Sequence, residues 1–337
     1  MQAASETLEA REAGRLPLNR RFCIAPMMDW SDRHSRYFLR LFSDSILLYT
    51  EMVTAAAIVH GNRDRLLAFS DAEHPLAVQL GGSEPELLFR AAQICQQYGY
   101  DEINLNCGCP SDRVQSGCFG ACLMRDPPLV AECVSALKSA TSLPVTVKHR
   151  TGVDQQEDYD VFAAFAAAQI EVGAEALIVH ARNAWLQGLS PKQNREIPPL
   201  KYDWVYRLKR DFPTQQIIIN GGIKTLQACR EHLRHVDGVM LGREPYNNPY
   251  LLHDVDAVIF GEQSVTTPDR FVLLQRIYPY IEQQLADGVP LTRMVRHLLG
   301  LFNGEPNARR WRRYISENAY RKDAGIEILH QAEDLLA

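Results

Sequence analysis

The amino-acid sequence predicts an α/β fold, a (β/α)8 TIM barrel followed by a small C-terminal all-helical bundle. Two observations predict the barrel. Eight short apolar, β-branched runs recur between Phe22 and Leu241, with segments of helical period between them. Several runs are apolar on consecutive residues, as in Leu177-Ile178-Val179 and Ile217-Ile218-Ile219, which marks strands covered on both faces. A third observation predicts the bundle: after Pro249 the strand pattern stops and only helical stripes follow. The boundaries read as a flexible tail over 1–20, the barrel over 21–253, a linker over 254–268 and a helical domain over 269–337.

In chain order the runs are Phe22–Ala25, Ile46–Thr50, Leu76–Leu80, Glu102–Leu105, Val145–Lys148, Ala176–Val179, Gln216–Ile219 and Gly238–Leu241. Helical period appears at Ala91–Tyr98, Val130–Ser139, Val161–Val172 and Thr225–Leu233. Such alternation closes a barrel. The rival, a doubly wound open sheet, needs a glycine-rich dinucleotide turn, and the sequence has no GxGxxG element. In the C-terminal region Phe271, Leu274, Tyr278, Ile281 and Leu285 form one stripe. Val295, Leu298, Leu299 and Phe302 form a second, and Trp311, Ile315 and Ala319 a third. Asp323 is placed to cap a last helix carrying Ile326, Leu329 and Leu336.

Composition narrows the function. The net charge of −5 excludes a polycation, so any nucleic-acid binding needs a local basic patch. No apolar stretch approaches a membrane span, and the N-terminus lacks the apolar core of a secretory signal. Eight cysteines without a disulfide-scaffold pattern point to reduced thiols and a cytoplasmic protein.

In a barrel the chemistry sits at the C-terminal ends of the strands. Here those ends are Ala25-Pro26-Met27, Glu51, Gln79, Asn104 to Pro110, Lys148, His180, Asn220-Gly221-Gly222 and Gly242-Arg243. The last two suit a phosphate, because glycines let backbone N–H groups approach and an arginine adds charge. Lys148, based on an apolar strand, offers a fixed cation, and His180 follows on the next strand. Cys109, in a Gly-Cys-Pro loop, is a thiol placed to transfer a proton. Cys107, Cys109, Cys118 and Cys122 are close in sequence, but their spacing does not match common zinc or iron–sulfur patterns, and no metal is expected.

These motifs in this order resemble the tRNA-dihydrouridine synthases: Ala25 to Asp29, Gln79 to Gly82, Asn104 to Gly120, Val147-Lys148, Ile178 to Arg182, Asn220 to Gly222 and Met240 to Arg243. Residues 188–200, His297 to Phe302 and Ala308 to Arg313 resemble the A-type branch. The resemblance implies non-covalent FMN in the barrel mouth, NADPH as a transient electron donor, and reduction of D-loop uridines of tRNA at positions 20 and 20a. It places Pro26, Met27, Gln79, Lys148, His180, Asn220, Gly221, Gly222, Gly242 and Arg243 on the flavin, and makes Cys109 the proton donor. Flavin N5 would give hydride to uracil C6 while Cys109 protonates C5. Asn106 is placed to hold the flipped uracil, and Lys192, Arg195, Arg309 and Arg312 to orient the tRNA. No obligate protein partner is implied.

From Leu291 to Lys322 there are seven Arg and one Lys against two Glu. Arg309, Arg312 and Arg313 share one helical face, and Arg293, Arg296 and His297 lie opposite an apolar stripe, so both faces read as RNA-facing. The alternatives are an FMN reductase of free pyrimidines, a phosphosugar barrel enzyme and a non-catalytic RNA-binding module. The basic helices argue against the first, and the convergence of Lys148, His180 and Cys109 against the last.

Overall fold

The computed structural model describes residues 18–111, 117, 119–262 and 268–336. Residues 1–17 of the expected tail, 263–267 of the expected linker, and Cys118 lie outside them.

Eight parallel strands form one sheet in the order β1-β8-β7-β6-β5-β4-β3-β2. They are β1 (Phe22–Ile24), β2 (Leu48–Thr54), β3 (Leu76–Gly81), β4 (Glu102–Cys107), β5 (Val145–Arg150), β6 (Ala176–His180), β7 (Gln216–Asn220) and β8 (Gly238–Leu241). Cys23 bridges Leu47, with the Ile24 N–H donating to the Leu47 carbonyl at 2.9 Å, so β1 meets the segment that leads into β2 and the sheet closes on itself. This is the (β/α)8 barrel the sequence predicts. β2 starts two residues later than the run Ile46–Thr50 and extends to Thr54, because its register slips between Tyr49 and Met52.

The barrel wall is packed on both faces. Outward side chains such as Val78, Leu105, Val147 and Ile219 join the helix layer, while Cys23, Leu47, Tyr49, Ile178, Ile218 and Met240 fill the interior. That double coverage is why the strands read as continuous apolar runs.

A polar ladder rises through this interior. At the bottom, Glu102 accepts from Arg20 (2.6 Å), Tyr49 (2.7 Å) and Thr146 (2.6 Å). Asn104 takes the next rung, donating to Thr146 at 2.9 Å and accepting from Gln79 at 2.7 Å. Gln79 in turn accepts from Asn106 at 2.8 Å. A buried carboxylate is tolerable only with such partners. Arg20, read from sequence as the end of the tail, is instead buried in the barrel floor.

The segment read as the start of the linker carries helical turns. A 3-10 helix spans Pro249–Asp254 and a π-helical turn Asp256–Phe260. Val255, Asp256 and Ile259 are buried there, and Ser43 donates to Asp256. Beyond it run helices Arg270–Ala286, Thr292–Val295, Ala308–Asn318 and Glu327–Asp334.

Three readings of this region need correction. In the first helix the buried stripe is Leu273, Leu274, Ile277 and Ile281, and Phe271 is 42% exposed, a shift of phase that leaves Phe271 at the first turn beside Phe302. The last helix starts after Ile326, not at a cap from Asp323. The third concerns Arg296 and His297. The Asp32 carboxylate receives Arg296 at 2.6 Å and His297 at 3.0 Å, and caps helix Arg33–Arg40 through the His34 and Ser35 N–H groups. His297 is buried, so these two side chains dock the C-terminal region onto the barrel rim instead of facing solvent.

The docking is continuous with the mouth. Trp30, in the loop after β1, stacks on Tyr246 at 4.4 Å, and Tyr246 meets His297 edge-on at 5.7 Å. Gly300 lies so close to the short helix Arg243–Asn247 that a Cβ would stand 2.4 Å from the Asn247 carbonyl oxygen.

Candidate active site

The ladder delivers its last amide, Asn106, to the mouth. Its Oδ1 accepts from the N–H groups of Gly108 (3.1 Å) and Cys109 (3.0 Å), while its Nδ2 donates to Gln79. Asn106 therefore shapes the loop that carries Cys109. The loop is held further by Ala121 N–H donating to the Cys109 carbonyl at 2.9 Å and by Arg150 donating to the Gly108 carbonyl at 3.1 Å. The Cys109 thiol is half-buried, with its Sγ 3.4 Å from the Ser111 hydroxyl. By contrast Cys107 points into the core, and burial pushes its thiol well up, out of reach of acid–base work near neutral pH.

Across the mouth, β5 to β8 supply the cations. Lys148 Nζ donates to Asn220 Oδ1 at 3.2 Å, and Asn220 Nδ2 donates to the Met240 carbonyl at 2.7 Å, so one amide ties β5, β7 and β8 together. Burial, then the neighbouring Arg150, lowers the Lys148 ammonium to about 7. Burial, then Arg150, Lys148, Arg182 and Arg195, drives the His180 imidazolium far down, so His180 is a neutral imidazole near pH 7. Gly221 fits against it only as glycine. At φ 113°, a Cβ would stand 2.6 Å from His180 Cδ2. Gly222, at φ 72°, is confined by Leu200 and the Tyr202 hydroxyl. Gly242 faces Met27, whose Sδ would lie 3.4 Å from an added Cβ, and Arg243 pairs with Glu196 at 2.5 Å. Pro26 and Met27 are half-buried on β1's side of the rim, where Ser31 accepts from the Met27 N–H.

These contacts bring the sequence-read residues together in two groups. Gln79, Asn106 and Cys109 are linked through hydrogen bonds, and so are Lys148 and Asn220, with His180 beside Gly221. Lys192 and Arg195 stand exposed on the loop after β6. Arg309 and Arg312 stand apart on helix Ala308–Asn318, whose buried face is Ala308, Trp311, Ile315 and Asn318.

Sequence reasoning missed Arg150. It is 4% exposed, clamps the cysteine loop and also donates to the Asn194 carbonyl at 3.0 Å, so it joins that loop to the one bearing Lys192 and Arg195. Burial lowers its guanidinium to about 10. Its signal was present: two residues after Lys148, it shares that residue's face of β5. Arg182 was quoted in a motif and assigned no role, yet its Nε is buried without a hydrogen-bond partner.

The arrangement can do two things chemically. A surplus of cations over one carboxylate, with glycines at φ above zero, suits a phosphate-bearing anion. A thiol on a loop held by Asn106, Arg150 and Ala121 suits proton transfer. Among the described residues no group of three or more His, Cys, Asp and Glu is arranged to hold a metal ion, and no helix is long and apolar enough to cross a membrane.

Fold and site thus define a (β/α)8-barrel enzyme whose mouth is lined by Lys148, Arg150, Arg182 and Arg243. The sequence profile described as dihydrouridine synthase (Dus) matches residues 23–336. The tRNA-dihydrouridine(20/20a) synthase of Xanthomonas campestris pv. campestris is 57% identical over 312 residues, 93% of this chain and 92% of that protein. The protein of the same name from Vibrio vulnificus is 55% identical over 313 residues, 93% and 95% of the two chains. That from Escherichia coli K12 is 54% identical over 338 aligned residues, 100% and 97% of the two chains. This chain belongs to the dihydrouridine synthase family.

Proposed function

We propose that this chain reduces D-loop uridines of tRNA, at the positions 20 and 20a for which its relatives are named, to 5,6-dihydrouridine. It would use non-covalent FMN and draw its electrons from NADPH, as a cytoplasmic enzyme. The observation that carries the reading is the Cys109 loop, fixed by Asn106, Arg150 and Ala121 opposite Lys148, Asn220 and His180.

The residues present fit FMN. Gly221 and Gly222 leave no room for side chains, Arg182 keeps a buried unpaired N–H, and Arg243 stands at the rim. Gln79, Lys148, His180 and Asn220 would meet the ring system, with Pro26, Met27 and Gly242 beside it. When bound, the flavin supplies a hydride for uracil C6. Lys148 offers a cation where negative charge gathers, and His180, being neutral, offers an N–H without adding charge.

The target uridine must leave its stack to enter the mouth. Asn106 spends both lone pairs and one N–H on the cysteine loop and Gln79, so one N–H remains for a uracil carbonyl. Cys109 gives its proton to C5. The thiolate left behind faces the Ser111 hydroxyl, and Lys148 and Arg150 offset its charge. Lys192, Arg195, Arg309 and Arg312 would hold tRNA phosphates.

The test is turnover of an unmodified tRNA transcript with NADPH, the product located by mass spectrometry. Dihydrouridine at position 20 or 20a is expected; reduction of free uridine alone would replace this reading with a small-molecule reductase. Cys109→Ala should keep its flavin and accept hydride from NADPH, yet reduce tRNA about 10²–10⁴-fold more slowly. Stopped-flow measurement of each half-reaction separates the two effects.

A further inference from the structure

Helix Ala308–Asn318 has an open face, and that face does not end in charge. Tyr320, just beyond its last turn, is 81% exposed, more than any other large apolar or aromatic side chain among the described residues that stand exposed. No hydrogen bond or ring contact engages it among the described residues. Its backbone is nevertheless fixed. Ala319 N–H donates to the Ile315 carbonyl at 2.9 Å and Arg321 N–H to the Asn318 carbonyl at 3.2 Å, so a tight hydrogen-bonded turn follows the helix end.

That turn sets where Tyr320 lies. With Ala319 still in the right-handed helical region, the helical pitch of about 100° per residue carries Tyr320 close to the side of Arg309 and Arg313, about 10–17 Å farther along the axis. Arg309, Arg310 and Arg313 are exposed on one side of it, and Arg321 and Lys322 on the other. Of the acids nearby, Glu317 is taken by Arg313 at 2.7 Å, and Asp323 stands exposed beside Lys322. Tyr320 thus stands, largely open to water, between Arg309 and Arg310 on one side and Arg321 and Lys322 on the other.

A single exposed aromatic is ordinary on a protein surface. An aromatic continuing an arginine strip is the pairing that single-stranded nucleic acid requires, with cations on the backbone and a ring on which a base can stack. A membrane surface or an acidic protein would use the cations and would not need a lone ring at helical register with them. We propose that Tyr320 is a stacking platform for an unpaired base of the bound tRNA, one step beyond the phosphates held by Arg309 and Arg312. This rests on the tRNA reading above and adds a base contact to it.

Stacking and phosphate contact separate by salt. Neutralising a phosphate releases counterions and gives affinity a salt slope, whereas stacking a neutral ring does not. The experiment titrates an unmodified tRNA transcript into the full-length, flavin-loaded protein over a range of salt. It compares the wild type, Tyr320→Ala, Tyr320→Phe and the double variant Arg309→Ala with Arg312→Ala. Tyr320→Ala should raise Kd about 5- to 100-fold at every salt concentration with an unchanged slope, while Tyr320→Phe stays within about twofold of wild type. Unchanged flavin content and unfolding midpoint confirm an intact fold. Wild-type affinity in Tyr320→Ala overturns the proposal, and so does a loss that Tyr320→Phe shares or that flattens the slope. If the double arginine variant keeps wild-type affinity and slope, the phosphate reading of this helix fails by itself, and Tyr320 is judged on its own variants.

Discussion

Residues 293–297 and 309–313 carry arginines at helical spacing and face opposite fates. In the first stretch Arg296 and His297 converge on Asp32, more than 260 residues earlier in the chain, and close the joint between barrel and helices. In the second, Arg309 and Arg310 are left in water and Arg312 is half-exposed. Arg313 is neutralised within its own helix by Glu317. Local sequence cannot tell these cases apart, because the acid that decides the first comes from the loop after β1. How far an arginine is available to a ligand depends on the carboxylates the fold brings to it from elsewhere in the chain.

The largest effect should come from removing that carboxylate. Burial alone would raise Asp32, but His297, the Ser35 N–H and Arg296 outweigh it and hold it well below the usual carboxylate range. Asp32→Ala strips a helix cap and leaves a buried histidine and an arginine unpaired. The expected loss is about 2–4 kcal/mol, discounted because Arg296 keeps 33% of its side chain exposed. Denaturant unfolding measures it, and a loss below about 0.5 kcal/mol would make the joint incidental.

Arg309→Ala with Arg312→Ala should do the reverse. Stability should stay within about 0.5 kcal/mol of wild type, while the log–log salt slope of tRNA binding falls by about 1.4–1.8 for two phosphates. If the double variant were as unstable as Asp32→Ala, the two stretches would not differ in kind.

Lys148 is a third case, a cation buried against an amide with no acid. Its folded value near 7 lies below the unfolded one, so the flavin-free protein bears a penalty for charging it at low pH. An anion binding beside it raises that value, so binding takes up a proton. The contribution is complete below about pH 7 and is lost as pH rises through the bound-state value. FMN affinity of the flavin-free protein should fall above pH 7, by at most about tenfold per pH unit, and Lys148→Met should remove this dependence. Titrations followed by flavin fluorescence read the slope, and an identical profile in Lys148→Met would clear Lys148 of the effect.

The smallest effect belongs to Arg313. Its partner is an exposed i,i+4 glutamate, so Arg313→Ala should leave the unfolding midpoint and the tRNA salt slope near wild type. A drop in slope as large as one phosphate would show that Glu317 releases it to RNA.

The barrel was legible because buried parallel strands spell themselves as apolar runs, and β8 matched its run at both ends. Gly221 and Gly222 were legible as phosphate-type turns because positive φ favours glycine. Cys109 was legible through the Gly-Cys-Pro loop, but not the Asn106 carbonyl that shapes it, since that amide looked free to hold substrate. The Arg20–Glu102 pair and the Asp32 joint were illegible, because each unites residues far apart in the chain. The phase of helix Arg270–Ala286 was misread at Phe271, where apolar character alone does not say which neighbour covers a first turn.

The seat of Gly300 on the Asn247 carbonyl carries a consequence for inheritance. The segment bearing the arginines cannot be exchanged between relatives as a loose cassette, since it is keyed to the five-residue turn of helix that Arg243 opens. A transplanted C-terminal region would arrive in register only if its host also kept Asp32, Trp30 and Tyr246. A lineage that shifts its choice of nucleotide would then have to rewrite both sides of that joint together, and the record of such a shift should be sought on the barrel rim as much as on the helices.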